Sequence, residues 1–352
     1  MKISVIGTGS FGTSLAMVLN DNGHDVLMYG RNGEVVSEIG QSHTNQRFLK
    51  NIDLNEGILA TNDLKEAAAH AELIVLAVPV KAIRTVSSEL DGILSELGKK
   101  IIIVHVAKGL ELGTHMRVSD VIAEEMTSET MTDICVLSGP SHAEEVALKS
   151  PTTVSAACRN PESLQIVQDI FMNKYFRVYR NDDMTGVEIG GALKNIIALA
   201  IGVLHGLEFG DNAKAALITR GLQEITRLGT RMGANPLTFL GLTGMGDLIV
   251  TATSMHSRNY RCGIMLAEGK SVDEAQEEMG MVVEGVNTTK AAFELSREYG
   301  VEMPITEVLY RYLFHGITEE EAFYALMMRE KTGETDKLED LLDKQNKDWT
   351  RE

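Results

Sequence analysis

Hydrophobic positions in the first half of the chain fall into short β-branched runs, and stretches with apolar residues at helical spacing separate most of them. Residues 3–6, 26–29, 73–78, 101–106 and 134–137 read as strands. Their alternation with amphipathic segments predicts a parallel sheet with crossover helices, an α/β domain. From about Val187 the strand signal stops. Helical patterns then cover 188–207, 213–232, 259–268, 272–278, 288–299, 306–314 and 318–328, so the second domain is expected to be all-helical. Beyond Arg329 the chain is rich in Asp, Glu and Lys with few apolar anchors, which predicts a solvated helix or a frayed tail. The expected organisation is an N-terminal domain over 1–186, a helical domain over 187–330 and an acidic C-terminal tail over 331–352.

Composition narrows the class. The 352 residues are 44% hydrophobic and 24% charged, with 32 Gly and 6 Pro, which excludes a disordered or collagen-like chain. That length suits two domains, and two domains lead us to expect a cleft. With 50 acidic against 33 basic residues the formal charge is −17, which opposes non-specific attraction to nucleic acid or an anionic membrane, so any anionic ligand must be met by local cations. Cys135, Cys158 and Cys262 are odd in number and far apart, so neither a metal site nor a disulfide framework is expected, and a reducing cytoplasm fits best. Lys2 and the apolar residues after it imitate an export signal, but Gly7, Gly9 and Gly12 interrupt the run. The apolar stretch 189–207 contains Lys194, Asn195 and His205 and reads as a core helix, too short and too polar for a membrane span.

Gly7-Thr8-Gly9-Ser10-Phe11-Gly12 follows the first strand directly and opens a helical pattern. Glycines at this spacing permit a tight turn and close approach of backbone to a pyrophosphate, and the helix N-terminus supplies N–H groups and a positive dipole. The N-terminal domain is therefore expected to be a dinucleotide-binding parallel sheet of the Rossmann type. About 20 residues on, Tyr29-Gly30-Arg31-Asn32 offers no acid to accept a ribose 2′-hydroxyl. Arg31 reads as a cradle for a 2′-phosphate or as a solvated surface residue, and the former favours NADPH, with NADH as the alternative. The absent acid also opposes a flavin dinucleotide. Ligands in such sheets lie outside the carboxyl ends of the strands, where this chain places Lys108-Gly109 and Gly139-Pro140-Ser141. A lone lysine there reads equally as a ligand contact or a solvated side chain.

In the helical half, Gly190-Gly191 precedes Lys194 within an apolar helix pattern. Glycines in a helix interior cost about 1 kcal/mol each relative to alanine, so something is expected to approach that backbone, and a bound ligand would suffice. Lys194 is a proton-transfer candidate whose pKa desolvation would lower, or a side chain that snorkels from a helix rim. Gly244-Met245-Gly246-Asp247 and Ser257-Arg258-Asn259 carry turn chemistry. Arg258 offers a planar fork suited to phosphate, flanked by neutral donors, although such a tripeptide in isolation is commonly just a turn. Val282-Val283-Glu284-Gly285 is ambiguous between a site and a loop end.

These blocks, with Lys108-Gly109-Leu110-Glu111, Leu137-Ser138-Gly139-Pro140-Ser141 and Thr219-Arg220-Gly221, resemble the bacterial NAD(P)-dependent sn-glycerol-3-phosphate dehydrogenases in order and spacing over about 1–330. The resemblance implies a Rossmann domain plus an all-helical domain, and reduction of dihydroxyacetone phosphate for the glycerol backbone of phospholipids. It also implies roles. Lys194 would transfer the proton, with Asp247 orienting it, and Lys108 would polarise the substrate. Gly139, Ser141, Ser257, Arg258 and Asn259 would bind the substrate. Gly7, Gly9, Ser10, Phe11, Gly12, Arg31, Lys108, Ala143, Arg258, Val282 and Glu284 would bind the cofactor. The chain departs from the family's common pattern at His105, His142 and Met281 without losing a charged catalytic group. A dehydrogenase of another hydroxy compound and a non-catalytic NADP sensor are the rival readings. A homodimer is expected by analogy with other helical second domains.

Overall fold

The structure, a computed structural model, describes residues 1–280, 282–331 and 333–334. The chain divides into two compact units, Met1–Glu188 and Ile189–Glu352. The predicted acidic tail lies almost wholly outside the described residues, as does Met281.

Unit 1 runs β1 (Lys2–Ile6), α1 (Ser10–Asp21), β2 (Asp25–Tyr29), α2 (Gly33–Ser42), β3 (Thr44–Asn45), β4 (Leu49–Asp53), β5 (Ile58–Thr61), α3 (Leu64–His70), β6 (Leu73–Leu76), α4 (Val80–Leu97), β7 (Ile101–His105), α5 (Val118–Glu125), β8 (Met131–Ser138), α6 (Ala143–Ala147), β9 (Thr152–Cys158), α7 (Pro161–Phe171) and β10 (Phe176–Asn181). Eight strands form one sheet in the order β10-β9-β8-β7-β6-β1-β2-β5, and β3 pairs with β4 in a separate hairpin. The inner strands β6 and β7 are fully buried, as expected of strands covered on both faces. One core packs residues of α1, α2, α6 and α7 on one face, and another packs α3, α4 and α5 on the other. The order reverses at β1, which pairs with β2 on one side and β6 on the other; a ligand crevice is expected at the carboxyl ends of strands where such a reversal falls.

The five expected strands are present, but the sheet is not wholly parallel. β8 and β9 pair antiparallel, with Cys135 opposite Cys158 and Ser138 opposite Ser155. β5, β9, β10 and the hairpin also lie outside the sequence prediction. β5 is four residues long, β9 has Val154 as its one large aliphatic residue among Thr, Ser and Ala, and β10 alternates buried and exposed positions at the sheet edge, so none carries a run of large aliphatic residues.

The helices of the second half are α8 (Met184–Gly206), which begins in unit 1, then α9 (Asp211–Arg231), α10 (Asp247–Ala252), α11 (Arg258–Ala267), α12 (Val272–Met279), α13 (Glu284–Glu298), α14 (Pro304–His315) and α15 (Glu319–Met327). At 23 residues α8 is longer than its sequence pattern suggested, and by length and composition it would span a membrane. Yet 83% of its most apolar stretch is buried inside the protein, as in a core helix. Pro236–Leu240, a single π-helical turn over Leu242–Gly246, and α10 lie outside the predicted helical patterns; they are five or six residues long, too short to show a period, and the glycines of Gly244-Met245-Gly246-Asp247 read as turn chemistry.

Candidate functional site

In unit 1 the glycine turn joins β1 to α1. The Gly7 amide donates to the Tyr29 carbonyl at 2.8 Å, and the Ala77 amide donates to the Ile6 carbonyl at 2.9 Å, so the turn is anchored to both neighbouring strand ends. Gly7 has φ +124°, and a Cβ there would lie 2.4 Å from the Ala77 carbonyl oxygen. Only glycine fits that position. Gly9 sits at the N-cap of α1 without a side-chain cap, and the first turn carries no acid. The opening N–H groups of α1 therefore meet neither a capping side chain nor a repelling carboxylate. Open space lies where a Gly9 Cβ would be. A pyrophosphate fits this cradle on steric and electrostatic grounds. Gly12 and the half-buried Ser10 and Phe11 form the start of α1; the Ser10 hydroxyl donates to the Phe48 carbonyl at 2.6 Å, tying the turn to the hairpin. Arg31 is exposed just beyond β2, and Asn32 caps α2 by accepting from the Glu34 and Val35 amides.

At the carboxyl ends of β7 and β8 the structure brings Lys108 and Gly139 together. Lys108 Nζ donates to the Gly139 carbonyl at 2.9 Å, and the Ser141 hydroxyl donates to the same oxygen at 2.9 Å. The buried Ala143 opens α6 two residues on. Candidates from two separate sequence blocks thus meet, with Lys108 and Ser141 both donating to the Gly139 carbonyl.

In the second half a buried charge cluster forms around Lys194. Its Nζ donates to Asp247 Oδ1 at 2.7 Å and to Thr251 Oγ1 at 2.6 Å. Lys194, Asp247 and Thr251 are only 5%, 1% and 5% exposed. Thr251 donates its own proton to the Asp247 backbone carbonyl at 2.6 Å, which leaves its oxygen lone pairs to accept from the lysine. Lys194 does not snorkel. Burial disfavours its charge, and the adjacent Asp247 carboxylate, the residue that the family resemblance implies orients it, favours it.

The structure corrects one reading of Gly190. A Cβ there would lie 2.7 Å from the Thr243 carbonyl oxygen, so the close approach is made by the chain's own 242–246 turn. The glycine brings that turn, and Asp247 after it, down onto α8.

Ser257-Arg258-Asn259 is the start of α11 rather than a free turn. Ser257 is the N-cap and accepts from the Tyr260 amide at 3.2 Å. The buried Asn259 donates to Asn195 Oδ1 at 2.9 Å and accepts from the Gly285 amide at 2.8 Å, which connects α8, α11 and the first turn of α13. Arg258 is exposed and donates to the Val282 carbonyl at 3.4 Å, two residues before Glu284 opens α13. The three neighbours therefore differ in accessibility, with only Arg258 on the surface. Thr251 and Asn195 were not singled out from sequence. Thr251 falls one turn after Asp247 on the same helix, a spacing that would have found it. A separate apolar cavity of about 450 Å³, lined by Leu204, Leu217, Val308, Leu309 and Phe323 among others, includes none of the candidate residues. Among the described residues no group of three or more potential metal ligands occurs.

A doubly wound sheet with an uncapped glycine turn, followed by a helical region with a buried lysine–aspartate pair, defines the class of pyridine-nucleotide oxidoreductases with a helical second domain. Within it, residues 2–164 match the model of the NAD-dependent glycerol-3-phosphate dehydrogenase N-terminus and residues 183–324 that of its C-terminus. The chain belongs to the NAD-dependent glycerol-3-phosphate dehydrogenase family. It is 58% identical over 334 residues to the glycerol-3-phosphate dehydrogenase [NAD(P)+] of Macrococcus caseolyticus, covering 95% of this chain and 100% of that protein. With the protein of the same name from Geobacillus kaustophilus it shares 57% identity over 98% of this chain and 99% of the other. The crystal structure of glycerol-3-phosphate dehydrogenase from Coxiella burnetii superposes with a TM-score of 0.87 at 37% identity, covering 93% of this chain and 98% of that one.

Proposed function

We propose that this protein reduces dihydroxyacetone phosphate to sn-glycerol 3-phosphate with NADPH, or less readily NADH, reversibly, and so supplies glycerol phosphate for phospholipid synthesis. The observation that carries this reading is the buried Lys194–Asp247–Thr251 cluster. A lysine held at two of its N–H groups has a fixed direction, as a proton donor to a ketone oxygen requires.

Residues 1–186 serve as the cofactor domain and 187–330 as the substrate and catalytic domain in this proposal. The α1 N-terminus and Gly7, Gly9, Ser10, Phe11 and Gly12 receive the pyrophosphate, Arg31 meets a 2′-phosphate, and Ala143, Val282 and Glu284 complete the cofactor set. When bound, the reduced nicotinamide supplies the hydride. Lys194 gives its proton to the substrate oxygen and recovers it in the reverse direction, while Asp247 and Thr251 hold its aim. Lys108, placed by Gly139 beside Ser141, adds positive charge where the alkoxide develops, an effect worth a few kcal/mol (~3) in a water-excluded site. Arg258 binds the substrate phosphate from the first turn of α11, whose N–H groups and dipole add to its charge. Ser257 and Asn259 keep that turn in place. The chain acts in the cytoplasm as a homodimer on this reading.

Loss of reduced-nicotinamide absorbance with dihydroxyacetone phosphate, and not with dihydroxyacetone, tests the assignment. Equal turnover of the two ketones would refute the phosphate role of Arg258, and no turnover of either would favour another hydroxy compound.

A further inference from the structure

Glu188 is a buried carboxylate that the mechanism above does not use. It is the fifth residue of α8, 6% exposed, and four groups surround it. It accepts from the Ser119 amide at 2.8 Å, the Ser119 hydroxyl at 2.6 Å and Arg117 Nη1 at 3.2 Å. His105 Nε2 lies 3.2 Å from its other side. Burial alone would raise its pKa, but His105, Arg117 and Ser119 outweigh burial and hold it below the usual carboxylate range. The group is therefore a retained buried charge, which proteins keep at a cost.

The partners occupy the two ends of one segment. His105 is the last residue of β7, fully buried, and neither ring nitrogen makes a well-formed hydrogen bond, so the carboxylate is its polar neighbour. Arg117 and Ser119 stand at the start of α5. Between them, 106–116 forms a loop that folds back on itself through a Leu110–Arg117 bridge and a Glu111 amide to Met116 carbonyl bond. Arg117 is further fixed by Asp120 at 2.7 and 2.8 Å and by Thr185 at 2.9 Å. Lys108 lies in this loop, three residues after His105, with its Nζ on the Gly139 carbonyl.

We propose that Glu188 is a positioning residue for Lys108: one carboxylate clamps the entry of the 106–116 loop through His105 and its exit through Arg117 and Ser119, and so sets the lysine against Gly139. This rests on the reading that Lys108 acts on the substrate. Without the negative charge the Arg117 and His105 ends lose their common anchor, and Lys108 samples positions away from Gly139.

A double-mutant cycle of Glu188→Gln and Lys108→Met in the full-length enzyme, with kcat and KM for dihydroxyacetone phosphate and thermal midpoints, tests the inference. Glu188→Gln alone is expected to lower kcat/KM about 10-fold or more, and in the Lys108→Met background to change it by less than about twofold. Equal losses in both backgrounds, or a lowered midpoint with unchanged kcat/KM, would show a structural role only and overturn the proposal. Full activity of Lys108→Met would instead overturn the reading of Lys108 and the inference with it. Should Glu188→Gln fail to fold, Ser119→Ala, which loses one donor at the loop exit, is predicted to show the same non-additivity on a smaller scale, and additivity there would overturn the proposal.

Discussion

The glycine turn of unit 1 and the Lys194 cluster of unit 2 differ in where their chemistry resides. In the turn it lies in backbone: Gly7 fits because any Cβ would meet the Ala77 carbonyl, and α1 presents N–H groups that no side chain caps. In the cluster it lies in side chains drawn from positions 53 and 57 residues apart, buried together and hydrogen-bonded. Backbone sites are written in local spacing, whereas side-chain sites are written in which distant segments pack. A substitution in the turn should therefore disturb fold and cofactor binding together, while one in the cluster should remove chemistry and spare binding.

That difference also explains how much was legible. The turn, its flanking strand and helix, and the change from strand to helical periodicity near Val187 follow from local pattern, and the structure places them where the pattern does. Lys194 is legible by type, as a cation in an apolar helix, and Asp247 as its partner only through the family resemblance; Thr251 is legible from neither. Asp247 and Thr251 reach it only because Gly190 admits the 242–246 turn, a contact between segments that no local pattern encodes. The antiparallel β8–β9 pairing was hidden for a related reason, since strand direction depends on the path of the 139–151 connection and not on the composition of β9. Ser257 and Asn259 read as ligand donors from their types and from the family resemblance, whereas their structural roles, one capping a helix and the other bridging Asn195 to Gly285, depend on packing that neither shows.

The sharpest way to break the comparison is Gly7→Ala. The strained φ and the clash with a neighbouring carbonyl should cost about 3 kcal/mol or more of stability and abolish measurable NADPH binding, read by urea unfolding and cofactor fluorescence. Normal binding in a stable variant would refute the backbone account. Arg31→Ala should be selective instead, raising KM for NADPH about 10- to 100-fold and that for NADH by less than about twofold. Equal effects on both cofactors would return Arg31 to the status of a surface residue.

A smaller effect separates a structural carboxyl group of the second unit from its chemical cluster. Glu224, 1% exposed, accepts from the Ile305 and Thr306 amides at the start of α14, and burial pushes its pKa up from 4.5 to about 7. The folded state thus holds this proton more tightly than the unfolded state. Stability from this group is fully present below pH 4.5 and is lost as pH rises through 7, by at most about 3 kcal/mol. Glu224→Gln should gain on wild type between pH 5 and pH 8 in unfolding experiments, with little change in turnover. A gap that does not vary with pH would contradict the buried-proton assignment.

The most direct test of the account is Lys194→Met, measured for NADPH binding and dihydroxyacetone phosphate turnover on one preparation. The account predicts a cofactor Kd within about twofold of wild type and kcat lower by about 10³-fold or more. Retained turnover, or loss of binding in step with activity, would contradict the assignment of proton transfer to the Lys194 cluster.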